Sequence, residues 1–395
     1  MGISISSVAY MPLPKHIGFT PQHINLTIAN KIMNGEMIKL YLFDFSSEFQ
    51  LDQIKSIFKN PEDFSKLEYN LPTPEEIPQF TLPLVFNMKD ADVQIGNEKL
   101  QAKVQVAIFS PGTVSIRIRA PITDKNEAFF AMLAFSSDFE SAAYKLAQQA
   151  KNKVKNTISK QVAMNESELF ETYTFYFIND TKASVLNKNR ALIAGLLVSE
   201  PNASGIDSDY LKEVLSKSIS YYRDDAFFVG WDGAVLIDIL KNIDYELLMA
   251  EIANMQLLKL RIYKKRTSEM LASTGFDIES LSSAGFMRRI FSKKAILLGN
   301  KLSMFLDSLN EMLNRIDNTV FGLGEWYLSR VYALFSSVFK LSELREAVEN
   351  DAGKLAARKS IINEVMAERR NDILEFIVIL LIVIEVLLET AYLSK

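Results

Sequence analysis

Asp224, Asp225 and Asp232, followed closely by Asp238, crowd carboxylates into one short stretch. Paired carboxylates can hold a magnesium ion or divide general acid and base roles between them. The same stretch contains Trp231-Asp232-Gly233, and turns recruit aspartate because its carboxylate bonds nearby backbone amides. The structural reading is therefore favoured over the catalytic one. A second group is cationic: Lys259, Arg261, Lys264, Lys265 and Arg266, joined in sequence by Arg288, Arg289, Lys293 and Lys294. Such a cluster can meet the phosphates of RNA or of anionic lipid. No aromatic residues that would stack on bases are interleaved there, so a solvated helix face is favoured and nucleic acid is disfavoured as a partner. Lys264, Lys265 and Arg266, with Arg369 and Arg370 further on, are the candidate phosphate or lipid contacts.

Composition closes off other chemistry. The 395 residues include no cysteine, which removes disulfides, thiol nucleophiles and iron–sulfur ligation. His16 and His23 are the only imidazoles, too few for a histidine-rich metal centre and a poor supply for a Ser-His-Asp triad. Neither a GxxxxGK[ST] loop nor a GxGxxG after a strand occurs. A net charge of −4 gives no overall attraction to nucleic acid or anionic lipid. Residues 1–14 lack a basic region followed by an apolar run, so no secretory signal is expected. No cofactor is expected.

These residues need elements to position them. Val104, Val106 and Ile108 alternate with polar neighbours, Ser110-Pro111-Gly112-Thr113 supplies a turn, and Val114, Ile116 and Ile118 alternate again, which predicts a hairpin. A helical stretch is expected over 127–155, strands over 172–178 and 191–198, and a helix over 208–220. A second hairpin is predicted around Trp231-Asp232-Gly233, from 225–231 and 234–238. Trp231 is expected as a core anchor and Trp326 as a helix-packing residue. After Asn242 the pattern is helical: Leu248, Ile252, Met255, Leu258 and Ile262 form one stripe, and Leu302, Phe305, Leu309, Met312 and Ile316 form another. The segments divide as an α+β module over 1–165, a second α+β module with a hairpin over 166–241, a long-helix stalk or bundle over 242–372, and a terminal helix over 373–393. From Leu341 onward one helix can reach on the order of 80 Å.

The terminal helix is almost wholly apolar, and about twenty helical residues match the roughly 30 Å core of a bilayer. Glu375, Glu385 and Glu389 interrupt it, within one arc of roughly 80° at helical spacing. Such a stripe can face a partner, a crevice or a second copy while the apolar faces meet lipid, and Glu385 is the carboxylate that needs company. In a buried helix of a soluble bundle the same glutamates would point to solvent. The spanning reading is favoured. Lys354, Arg358, Lys359, Arg369 and Arg370 precede the segment and only Lys395 follows it, which by the positive-inside rule leaves the bulk in the cytoplasm.

One arrangement of motifs resembles a known family. Tyr222-Arg223-Asp224-Asp225 and Gly230-Trp231-Asp232-Gly233-Ala234 lead into Glu251-Ile252-Ala253-Asn254-Met255-Gln256 and Leu260-Arg261-Ile262-Tyr263, and the chain ends on the apolar run around Glu385. In that order, over about residues 170–393, the sequence resembles the required-for-meiotic-nuclear-division family, catalogued as domain of unknown function 155, in its prokaryotic form. The resemblance implies a C-terminal transmembrane helix and, for mitochondrial members, oligomers that support translation at the inner membrane. It supplies no catalytic residues.

The expectation is an α+β N-terminal portion followed by long α-helices and one C-terminal transmembrane helix. The expected role is a membrane-anchored, coiled-coil-forming oligomeric scaffold or assembly factor, more scaffold than enzyme. It would sit as a single-pass protein facing the cytoplasm, or at the mitochondrial inner membrane in a eukaryote. Membrane lipid, further copies of the chain and a soluble protein are its expected partners. The alternatives are a magnesium-dependent hydrolase acting on phosphate esters through Asp224, Asp225 and Asp232, and an ion-conducting oligomer lined by Glu385.

Overall fold

A computed structural model describes residues 32–45, 48–58, 64–67, 82–96, 98–160, 162, 164–240, 243–282, 294–321 and 326–393. His16, His23, Arg288, Arg289, Lys293 and Lys395 lie outside the described residues, as do the side chains of Lys294 and Glu389.

Ten strands form one sheet among the described residues: β1 (Ile32–Asp44), β2 (Ser65–Leu67), β3 (Leu84–Asn87), β4 (Ala91–Ile95), β5 (Glu98–Phe109), β6 (Thr113–Asn126), β7 (Phe170–Ile178), β8 (Ser218–Ile219), β9 (Ala226–Val229) and β10 (Gly233–Ile237). Their order is β2-β3-β5-β6-β1-β7-β10-β9-β8, with β4 added against β5. All neighbours are antiparallel except β7 and β10, so the sheet is mixed. It runs without a break from the strands before residue 166 to those after it, because β7 pairs with β1 from Gly35–Ile178 to Phe43–Phe170. Both expected hairpins are present, as β5–β6 and β9–β10.

The helices are α1 (Leu51–Ile57), α2 (Glu127–Ala134), α3 (Ser137–Ile158), α4 (Lys182–Val198), α5 (Ser208–Ser216), α6 (Asp244–Ser282), α7 (Lys294–Phe321), α8 (Trp326–Val338) and α9 (Leu341–Leu393). Residues 191–198, expected as a strand, are the second half of α4. A short unbroken apolar run fits either element. Here the Thr181 hydroxyl accepts from the Ser184 amide at the start of the helix, and Ile193, Ala194, Leu196 and Leu197 bury against the sheet. The expected helix over 208–220 stops at Ser216, and Ser218 and Ile219 pair with β9 instead.

Strand alternation sends its two sets of side chains to opposite faces of the sheet. Met37, Tyr41, Phe43, Val104, Val106, Ile108, Val114, Ile116 and Ile118 face α3 and α4. Ile38, Leu40, Leu42, Tyr173, Phe175 and Phe177 face α6 and α8. The polar set of β6, which the sequence pattern presents as solvent-facing, is therefore covered too: Thr113, Ser115 and Arg117 are buried beneath α6. From Leu247 to Leu260 every residue of α6 is buried. A helix buried all round sits inside a fold, with no solvent stripe to show.

The turn between β9 and β10 is locked to α4 by Gly230. A Cβ built there would stand 2.2 Å from the Leu197 carbonyl oxygen. Gly230→Ala is expected to cost about 3 kcal/mol in chemical denaturation, because a backbone atom has to move to admit the methyl group. A change below a few tenths would show that the strand and helix can separate freely.

The expected transmembrane helix is not found. Among the described residues no helix is long and apolar enough to cross a membrane. Glu375 and Glu385 bound the uninterrupted apolar run of α9, and Phe376–Ile384 spans roughly 14 Å as helix against a hydrocarbon core about 30 Å thick. The single-pass topology, the cytoplasm-facing placement, the inner-membrane alternative and the anchor role inferred from that helix fall with it. A pore lined by its glutamates loses its basis as well.

Candidate functional site

The hairpin aspartates do not converge. Asp225 and Asp238 lie at the open end of β9–β10 and Asp232 at its turn, and β9 between them covers about 13 Å. The Asp225 carboxylate accepts the amides of Tyr221 and Tyr222, both at 2.9 Å, and Asp238 accepts the Leu240 amide at 3.1 Å. The carbonyl of Asp224 accepts the Lys182 amide at 2.8 Å, and that of Asp232 accepts the Thr174 amide at 3.2 Å. These are turn and cap roles. Among the described residues no group of three or more His, Asp or Glu side chains is arranged to hold a metal ion.

Glu246 is a carboxyl that the fold perturbs strongly and that no motif in the sequence marks. Glu246, in the first turn of α6, is 8% exposed, and the Tyr327 hydroxyl on α8 donates to it at 2.9 Å. Burial raises its pKa to about 7, with Asp238 and Asp225 pushing the same way and the Tyr327 hydrogen bond opposing. Tyr327 is raised further above its ordinary value by burial and by Glu246. Its ring meets Tyr221 edge-on at 5.2 Å. Tyr221 and Tyr222, themselves edge-on at 4.8 Å, are exposed beside it. No local signal marks Glu246, because the tyrosine that caps it lies 81 residues away.

A carboxyl with a raised pKa favours the folded state when protonated, and that contribution fades as pH climbs from about 4.5 through about 7. Glu246→Gln should therefore flatten the fall in stability between pH 5 and 8, by on the order of 3 kcal/mol across that window. Urea unfolding of both proteins at each pH reads this directly. Parallel curves would mean that Glu246 titrates near its ordinary value.

The basic run on α6 is dispersed by the fold. Lys259, expected on a solvated face, is 3% exposed and pairs with Asp44 on β1. Burial pushes the Asp44 carboxyl up and the Lys259 ammonium down, each opposed by the other's charge. Arg261 binds Glu171 on β7 at 2.6 Å, and burial raises Glu171 against that pairing. Lys264 binds Asp351 on α9 at 2.5 Å. Lys265 is exposed, and the Arg266 guanidinium lies over the Tyr263 ring. Arg369 and Arg370 sit on α9 well beyond Asp351, roughly 27 Å along the helix from Lys264's partner. The five proposed phosphate or lipid contacts thus form no single patch.

Arg117 and Glu251 make the deepest ion pair, at 1% and 0% exposure. Nε and Nη2 of Arg117 donate to the two carboxylate oxygens at 2.7 Å each, and the Ser115 hydroxyl adds a third bond at 2.7 Å. Trp231 is no core anchor: it is 47% exposed, edge-on to Phe339 at 5.8 Å and under the Arg261 guanidinium at 5.8 Å. Trp326, expected to pack between helices, is 62% exposed beneath Arg330.

The most prominent surface is the distal part of α9. Its proximal part buries Val348, Leu355 and Ile362, and Met366 packs, partly buried, against the same cluster of α6 and α7. Beyond it the large apolar side chains from Leu374 to Leu388, Phe376 excepted, are 44–67% exposed. Glu375 and Glu385 are exposed among them, on the same side of the helix as Glu364 and Glu368 and opposite the buried stripe. A contiguous apolar surface of this extent marks a place of association.

Residues 34–240 match the family model described as the uncharacterized protein MJ0711, N-terminal domain. The uncharacterized protein MJ0711 of Methanocaldococcus jannaschii is 24% identical over 232 residues, covering 58% of this chain and 68% of that protein. No solved structure matches.

Proposed function

The chain belongs to the MJ0711 N-terminal domain family, and from that premise we propose that it is an oligomeric assembly scaffold. The observation that carries this reading is the distal segment of α9, whose large apolar side chains from Leu374 to Leu388, Phe376 excepted, are 44–67% exposed. Helices of this kind are stable when packed with others. The α+β portion is then free to recruit a soluble protein. Its exposed Tyr221, Tyr222, Ile239 and Leu240 offer apolar and aromatic side chains of the sort that binding surfaces use.

The resemblance to the required-for-meiotic-nuclear-division family adds support through its oligomeric members. The hydrolase alternative draws none from the geometry, because Asp225 and Asp232 stand at opposite ends of β9 and the Asp225 carboxylate is occupied by backbone amides. Light scattering on the full-length chain tests the proposal. A multiple of the 44.7 kDa chain mass is expected, persisting on dilution to micromolar concentration, whereas a monomer would end it.

A further inference from the structure

We infer that the slot over β7, between α3 and α4, binds a free α-amino acid with an apolar or aromatic side chain. Asp232 takes its ammonium group, and Lys39 with Thr172 takes its carboxylate. The site goes beyond the scaffold reading and does not depend on it.

The slot follows from how the chain crosses the sheet. On one face α3 packs over β6 and β1, and α4 packs over β10 and β9. β6 and β10 are three strand spacings apart, about 14 Å, whereas packed helices stand about 8–10 Å apart. The surplus falls over β7. Its other face is sealed, because Tyr173, Phe175 and Phe177 are buried against α6 and α8. On the α3 and α4 face its first half is open: Phe170 is 37% exposed, and Thr172 is exposed as well. Phe130 of α2 closes the far end, its ring 6.0 Å from that of Tyr176. A recess between covering helices with a few convergent polar groups is the ordinary form of a small-molecule site.

Two opposite charges flank that strand with bonding capacity to spare. Lys39 in β1 and Gly233 in β10 both pair with Thr174, which sets Lys39 and Asp232 on either side of β7. Lys39 is 16% exposed and directs one N–H to Glu140 of α3 at 2.6 Å, which leaves two. The Tyr41 hydroxyl donates to the other oxygen of Glu140 at 3.3 Å and holds it as the fixed counterion of the lysine. The turn uses the backbone carbonyl of Asp232, which accepts the Thr174 amide. Its carboxylate, unlike that of Asp225, accepts no hydrogen bond among the described residues. Desolvation pushes the Asp232 carboxyl up, and Lys39 opposes this from beyond ion-pair contact.

Each group lacks what one end of a zwitterion supplies. An α-amino acid carries both charges on one carbon, which suits a gap between side chains of strands about 10 Å apart. A simple cation would leave the Lys39 donors unused, and a simple anion would face Asp232 and Glu140. The Thr172 hydroxyl, on the open floor, is a donor for the second carboxylate oxygen. The mouth adds aromatic surface: Tyr144, 43% exposed, lies 6.1 Å from Phe170, which stacks on Phe43 at 5.6 Å. Rings there suit an apolar or aromatic side chain.

The probes are L-phenylalanine and L-leucine, titrated into the full-length chain by calorimetry and checked by thermal shift. Saturable binding in the millimolar range or tighter is expected, with a rise in thermal midpoint. Phenethylamine lacks the carboxylate and hydrocinnamate lacks the ammonium, so each should bind at least about tenfold more weakly than L-phenylalanine. Asp232→Asn should weaken L-phenylalanine about tenfold and leave hydrocinnamate unchanged. Thr172→Phe, at an exposed position, should fill the slot and abolish binding while the thermal midpoint of the free protein stays that of the parent. No heat and no thermal shift with either amino acid at millimolar concentration would overturn the site. Equal affinity for phenethylamine and L-phenylalanine would overturn recognition of the zwitterion, and binding that survives both substitutions would place the amino acid elsewhere.

Discussion

Ile377→Glu, Leu380→Glu and Ile384→Glu together should turn the assembled chain into a 44.7 kDa monomer. Burying one such side chain contributes about 1.5–3 kcal/mol, so losing three per copy and placing carboxylates on the associating surface should weaken association by at least ~10⁴-fold. Folding should be untouched. The three side chains are 45%, 48% and 44% exposed, and none belongs to the apolar clusters of the described residues. The thermal midpoint of the α+β portion should therefore match that of the parent at concentrations where the parent is also dissociated. A substitution at Leu355 or Ile362, both buried between helices, would instead change association and folding at once. An unchanged assembly mass in the triple variant would place the interface elsewhere and remove the distal helix from the mechanism.

The largest effect on folding is expected at Arg117 and Glu251. Arg117→Met leaves the buried Glu251 carboxyl without its bidentate partner, and should cost about 3–5 kcal/mol. Glu251→Leu strands the guanidinium in the same way and should cost a similar amount. Typical domains have a total stability of only about 5–15 kcal/mol, so either variant should accumulate poorly at 37 °C. Combined, the two substitutions should return most of the loss, since removing two buried charges together removes two desolvation penalties. Urea denaturation of the four proteins gives the coupling energy. Costs that simply add would show that the two side chains act independently and that the bidentate contact adds nothing specific.

These expected results differ in how far the amino-acid sequence foretold their residues. The β5–β6 and β9–β10 hairpins are legible locally, because their alternating residues flank turn-forming ones. Arg117 and Glu251 are not, because they are 134 residues apart and the strand that carries Arg117 has the alternation of a half-exposed sheet. Only the placement of α6 across that polar face buries it. The same placement turns Lys259 from an apparent surface charge into the partner of Asp44.

The chemistry of the individual side chains, the absence of thiols and the helical character after residue 242 belong to the sequence by itself, since each depends on residue type or on neighbours a few positions away. The tertiary structure alone decided that residues 191–198 are helix, that Glu246 titrates near 7 and that Asp225 and Asp232 stand apart. It also decided that α9 outruns its neighbours with its apolar side chains uncovered. Hydropathy along a chain measures how much apolar surface there is to hide. Which surfaces meet, and which are left over, depends on contacts between residues far apart in sequence.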